Sequence, residues 1–165
     1  MGTIKRILFV CTGNTCRSPM AEYLLKDMIS KKEELKIENW EILSAGISAV
    51  KGAEANEKTR NVMGELNIDL QEHRSHNIEE IELSREDLII TMTRKHSRVL
   101  VLKHPDLADK IFTLKELSEN DSESKDIQDP FGLSEKVYRE TRDEIKANLR
   151  FLLENLKKFE LKEED

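Results

Sequence analysis

The chain has 165 residues, 38% apolar and 36% charged, with a formal net charge of −6. That length suits one compact domain spanning 1–165 with a single sizeable core, and the acidic balance argues against nucleic-acid binding, which needs a basic face. No apolar run approaches the roughly 20 residues that cross a bilayer, Ile7–Val10 is too short for a secretory signal, and Arg6 stands where myristoylation after Gly2 would want Ser or Thr, so a cytoplasmic protein without a membrane partner is expected.

Lys5–Val10 ends in four apolar residues, as a strand buried on both faces does. Cys11–Ser18 (Cys-Thr-Gly-Asn-Thr-Cys-Arg-Ser) has the Gly, Asn and hydroxyl residues of a tight loop. A helix should follow, with Ser18 as N-cap, Pro19 in the first helical position and an apolar stripe at Met20, Leu24, Leu25, Met28 and Ile29. Glu41–Ala45 reads as a strand ending at Gly46, and Ala55–Leu66 as a helix with Val62, Met63 and Leu66 on one side. Asp87–Met92 is a strand rich in β-branched residues, Arg94–Leu102 a helix and Ile111–Leu114 a short strand. The polar stretch Asn120–Gly132, with Asp129-Pro130, reads as a loop. From Ser134 to about Leu161, Tyr138, Ile145, Leu149, Leu152, Leu156 and Phe159 mark a long amphipathic helix, and Lys162–Asp165 a frayed acidic tail. This alternation predicts an α/β fold, a parallel sheet with helices on both faces, whose ligands bind beyond the carboxyl ends of the strands.

The Cys11–Ser18 loop lies at such an end. Successive N–H groups running into a helix N-terminus make a concave anion site. Gly13 permits unusual backbone angles, and Asn14 tolerates the left-handed region. Arg17, five residues beyond the cysteine's successor, can clamp two phosphoryl oxygens with its planar fork. The same positive field would stabilise a thiolate at Cys11, to which Ser18 could donate a hydrogen bond. No Gly-Lys-[Ser/Thr] occurs, so this is not the nucleotide-binding phosphate loop. Two cysteines in a chain without an export signal favour chemistry over a structural disulfide.

Val10-Cys11-Thr12-Gly13-Asn14-Thr15-Cys16-Arg17-Ser18-Pro19-Met20-Ala21-Glu22 resembles the active-site signature of the low-molecular-weight protein tyrosine phosphatase family. The likeness extends through Ser44-Ala45-Gly46, His73-Arg74-Ser75 and Asp129-Pro130-Phe131-Gly132, in order and spacing. It implies a four-stranded parallel sheet in a single domain, with no metal or cofactor. It also implies Cys11 as nucleophile forming a phosphocysteine, Arg17 as phosphoryl binder and Asp129 as general acid. Thr12, Gly13, Asn14, Thr15, Cys16, Ser18 and Phe131 would line the substrate site, while Ser44 and His73 would support the loop. Without the resemblance, Asp129-Pro130 would read simply as the start of a turn.

Tyrosine-type members usually carry Ile or Leu where this chain has Thr15, and aromatic walls where it has Ile47-Ser48-Ala49-Val50. Its loop resembles instead the bacterial protein-arginine-phosphatase branch, and a hydroxyl at Thr15 offers a polar partner to a guanidinium N–P linkage. Phosphoarginine in proteins is therefore the expected substrate, with phosphotyrosine the alternative if Thr15 is only an isosteric replacement. The loop should also take phosphate or other oxyanions, and the chain should act as a monomer. Cys16 could join Cys11 in a reversible disulfide or could simply pack beneath the loop. His73 and His76 are spaced for one helical face, but too few further ligands exist for a metal reading. An arsenate reductase would need cysteines after Cys16, a phosphocysteine carrier would not need both Arg17 and Asp129, and a non-catalytic binding module would not need Asp129.

Overall fold

Four parallel strands, β1 (Arg6–Cys11), β2 (Glu41–Gly46), β3 (Leu88–Thr91) and β4 (Ile111–Thr113), form one sheet in the order β2-β1-β3-β4. The structure, a computed structural model, describes residues 4–119 and 121–163, with side chains placed as far as Leu156. Gly2, the side chain of Phe159 and the last two acidic residues, for which expectations were stated, lie outside the described residues. Among the described residues five α-helices accompany the sheet: α1 (Arg17–Ser30), α2 (Glu57–Gly64), α3 (Arg94–Lys103), α4 (Leu114–Leu117) and α5 (Glu135–Glu163).

Alternation along β1 divides the core in two, because successive side chains point to opposite faces. Ile7, Phe9 and Cys11 pack with α1, α2 and α5 through Met20, Leu24, Met63, Tyr138 and Leu149. Leu8 and Val10 face the other way, toward Leu100 of α3, Leu107 and Ile111. Each fully buried Leu, Ile or Phe contributes ~1.5–3 kcal/mol, so the central strand is held from both sides. Registers Cys11↔Gly46 and Val10↔Thr91 align the carboxyl ends of β1, β2 and β3 along one edge.

Several boundaries differ from the sequence reading. Helix α1 begins at Arg17, with Cys16 as an N-cap that makes no side-chain capping bond. Ser18 is therefore the second helical residue, not the cap, and Pro19 the third, not the first. The Ser18 hydroxyl is engaged by the loop instead, leaving the helix N-terminus open. Helix α2 is shorter than 55–66: Asn56 caps it by accepting from Lys58 N–H at 2.9 Å, and it ends before Asn67 takes a left-handed φ of 60°. Leu114, read as the end of β4, opens the unanticipated α4, because Thr113 caps it from Glu116 N–H. His73 and His76 lie in irregular chain rather than on a helix. Helix α5 runs to Glu163, past the expected end near Leu161.

Candidate active site

Between the end of β1 and the start of α1, four carbonyls of the loop are held by donors from three other segments of the chain. Ile47 N–H and Ser48 N–H donate to the carbonyls of Cys11 and Thr12, both at 2.9 Å. His73 Nε2 lies 2.8 Å from the Asn14 carbonyl, and Asn56 N–H donates to the Thr15 carbonyl at 2.9 Å. A carbonyl can only accept, so His73 carries its proton on Nε2; burial holds its pKa below the ordinary value, consistent with a neutral ring. With four of its carbonyls held by donors outside it, the loop runs directly into the N-terminus of α1, the positive end of a helix. Asn14 sits at φ 57°, the left-handed conformation the loop needs to curl. Gly46 makes room for that curl: a Cβ there would stand 2.5 Å from the Thr12 carbonyl oxygen and 2.9 Å from Asn14 N.

Cys11 is buried at the floor. Its Sγ lies 2.9 Å from Ser18 Oγ and accepts from Asn14 N–H at 3.3 Å. Asn14 Nδ2 donates to Ser18 Oγ at 2.8 Å, which leaves the Ser18 proton free to point at the sulfur. The same amide donates to Ser44 Oγ at 2.8 Å, and Ser44 donates to Glu22 Oε1 at 2.6 Å. Lys26 neutralises the far oxygen of Glu22 at 2.6 Å. Asn14 Oδ1 accepts His76 N–H at 2.9 Å, so every polar atom of this buried side chain is paired. The network branches from the Asn14 amide, one line of donations ending on the Cys11 sulfur through Ser18 and the other on the Glu22 carboxylate through Ser44.

Arg17 is also buried. Its Nη1 donates to the Ile127 carbonyl at 2.9 Å, and its Nη2 lies 3.6 Å from Asp129 Oδ2. Asp129 is half exposed, and its Oδ1 accepts Phe131 N–H at 3.1 Å, the geometry of an Asx turn. Phe131 itself is 69% exposed. Thr15 is partly buried with its hydroxyl 3.8 Å from Cys16 Sγ. Cys16 lies beneath the loop against Tyr138 Oη at 3.5 Å; burial pushes both the Cys16 thiol and the Tyr138 phenol up, so both stay protonated. Both cysteines are free thiols. Thus the structure gathers Cys11, Arg17, Asp129, Ser18, Asn14, Ser44 and His73 around one cradle. Among the described residues no group of three or more His, Cys, Asp or Glu could hold a metal ion.

Sequence reasoning missed His96, in the first turn of α3. Its Nε2 lies 2.9 Å from Thr12 Oγ1, while its Nδ1 is buried without a partner. Burial, then the nearby Arg17 charge, push its pKa down to about 4, so the ring is neutral. Thr93, which caps α3 by accepting His96 N–H at 3.1 Å, was the available signal, since it places His96 at a fixed offset from the end of β3. Glu22 and Tyr138 were also missed, having read as a motif letter and a core stripe.

Residues 6–162 match the family described as low molecular weight phosphotyrosine protein phosphatase. A protein-arginine-phosphatase of Bacillus subtilis is 40% identical over 152 residues, 92% of this chain and 97% of that protein. A probable low molecular weight protein-tyrosine-phosphatase EpsP of Ralstonia solanacearum is 36% identical over 128 residues, 78% of this chain and 79% of that one. Among solved structures, a YwlE arginine phosphatase mutant with a phosphorylated active-site serine superposes with TM-score 0.83 at 40% identity, covering 92% of this chain and 95% of that chain.

Proposed function

The chain belongs to the low molecular weight phosphotyrosine protein phosphatase family, as a cysteine-based phosphatase, and we propose that its substrate is phosphoarginine in proteins. The observation that carries the choice is Thr15. Its hydroxyl sits in the loop where tyrosine-type relatives resemble one another in an apolar residue, and the neighbouring segment Ile47–Val50 offers no aromatic wall. The likeness to relatives named arginine phosphatases supports the same choice.

In this reading the Cys11 sulfur attacks phosphorus in line, forming an S–P bond as the N–P bond breaks. Loop N–H groups of Thr12, Gly13, Asn14, Thr15, Cys16 and Ser18, with the Arg17 fork, stabilise the three equatorial oxygens. Asp129 gives its proton to the departing guanidine nitrogen, then accepts one from the water that cleaves the phosphocysteine and releases phosphate. Ser18 holds the sulfur as a leaving group in that second step. Ser44 and His73 keep the loop curled, and Phe131 flanks the mouth. Cys16, being a buried neutral thiol, could meet Cys11 only after an oxidant has acted on the nucleophile. The exposed aromatic Phe131 favours phosphotyrosine as the second reading.

Phosphate release from a phosphoarginine peptide and a phosphotyrosine peptide, measured side by side with Cys11→Ser as blank, tests the proposal. Faster turnover of phosphoarginine, lost in the variant, supports it. Preference for phosphotyrosine overturns the Thr15 argument while leaving the cysteine mechanism standing.

A further inference from the structure

The turn that carries Asp129 is anchored on both sides by different parts of the molecule. Upstream, Ile127 N–H donates to the Met92 carbonyl at 2.8 Å while the Ile127 carbonyl accepts Arg17 Nη1. This ties the chain to the end of β3 and to the phosphate loop. Downstream the turn has less support: Leu133 N–H closes it on the Pro130 carbonyl at 2.9 Å, Gly132 takes φ 81°, and Phe131 and Leu133 stand exposed. Here Lys58 reaches across from α2. Its ammonium donates to the Leu133 carbonyl at 2.6 Å and lies 5.8 Å from the ring centroid of Tyr138, in the first turn of α5. Asn61 adds a longer contact to Glu135 at 3.4 Å.

Lys58 sits beside Asn56, whose N–H holds the Thr15 carbonyl of the phosphate loop. One short helix therefore grips both halves of the site: the cradle through Asn56 and the acid turn through Lys58. We propose that Lys58 is a positioning residue that sets the distance between Asp129 and the leaving atom, an inference that rests on Asp129 being the general acid. A charge-assisted hydrogen bond is among the stronger ones available to an otherwise exposed turn. Its loss would let Leu133 and the Asp129 backbone drift from the cradle while leaving the oxyanion site intact. Misplacement on the ångström scale is enough to slow a proton transfer.

The test exploits leaving groups that differ in their need for a proton. For Lys58→Met, which keeps the apolar stem and removes the donor, kcat/KM for phenyl phosphate should fall by about 3–10-fold, a fraction of what general-acid catalysis supplies. For p-nitrophenyl phosphate, whose leaving group departs as a stable anion, the same variant should stay within about twofold. Inhibition by inorganic phosphate should not change, and Lys58→Arg, which restores a cationic donor, should recover the phenyl phosphate rate. Thermal unfolding of each variant separates misfolding from mispositioning. An equal loss on both esters, or none on either, overturns the role of Lys58. Asp129→Asn run alongside distinguishes the two layers. If it shows the leaving-group dependence and Lys58→Met does not, the proposal alone fails. If Asp129→Asn shows none, the acid assignment fails and takes the proposal with it.

Discussion

Replacing Asn14 by Ala should damage stability and anion binding together, because the same side chain serves both. Asn14 is fully buried at φ 57°, a conformation that Ala enters at a cost of roughly 1–2 kcal/mol. The substitution also removes donations to Ser18 and Ser44 and the acceptor for His76 N–H. Ser18 and Ser44 retain Cys11 and Glu22 as partners, so each lost bond counts near the net value of about 1 kcal/mol rather than as a stranded group. Together these give a destabilisation of about 4–5 kcal/mol, or a fall in Tm of roughly 10 °C or more for a chain of this size. Urea unfolding by linear extrapolation measures the first quantity, and calorimetric titration with inorganic phosphate the second, which should weaken by at least about tenfold. Asn14→Gly loses the same bonds without the strain, so it should be about 1 kcal/mol more stable than the Ala variant. A loss below about 1 kcal/mol in Asn14→Ala with phosphate affinity intact would refute the network as described. Equal stabilities for the Ala and Gly variants would refute the strain component.

Three further perturbations probe other joints. Gly46→Ala places a methyl against the Thr12 carbonyl at 2.5 Å, so the loop must shift; turnover should drop by about tenfold or more while stability falls by only ~1–3 kcal/mol, read by kinetics and urea unfolding. His96 has a folded pKa of about 4 against an ordinary 6.5, so between those values the unfolded chain takes up a proton that the folded one refuses. Its contribution is complete above pH 6.5 and is lost as pH falls toward 4, up to about 3 kcal/mol; unfolding curves at pH 7 and 4.5 should differ less for His96→Gln than for the native chain. Thr15→Ile should lower the phosphoarginine-to-phosphotyrosine ratio of kcat/KM by about tenfold or more without reducing phosphate inhibition, since it changes the wall and not the cradle.

The elements were legible where one signal dominated. Continuous apolar residues made β1 and β3 unambiguous, and the long stripe from Tyr138 to Leu156 made α5 so. Misreadings fell where a polar residue had two possible employers. Ser18 has the chemistry of an N-cap, but Asn14 and Cys11 claim its hydroxyl, and that competition is tertiary. Leu114 has the apolar character of a strand, yet the Thr113 cap turns the chain into α4. Within the site, the loop could be picked out locally because its cysteine, glycine and arginine stand at fixed spacing. Its supports did not, because His96, Glu22 and Lys58 act across 84, 22 and 75 residues of sequence, on Thr12, Ser44 and Leu133, and leave no local periodicity behind.

A net charge of −6 is compatible with the anion site proposed above, and the paired loop carbonyls bear on how. A peptide loop is neutral overall, so it attracts an anion only if its N–H groups and its carbonyls are separated in space. Here that separation is enforced by backbone donors from Ile47, Ser48 and Asn56 and by the His73 ring, each taking a loop carbonyl away from the cradle. The partial positive charge of such a loop is short-ranged, which makes it compatible with an acidic net charge on the rest of the chain. Cys11 and the Arg17 side chain are both buried at that loop, so a charge held there is screened less by solvent and salt than one on the surface.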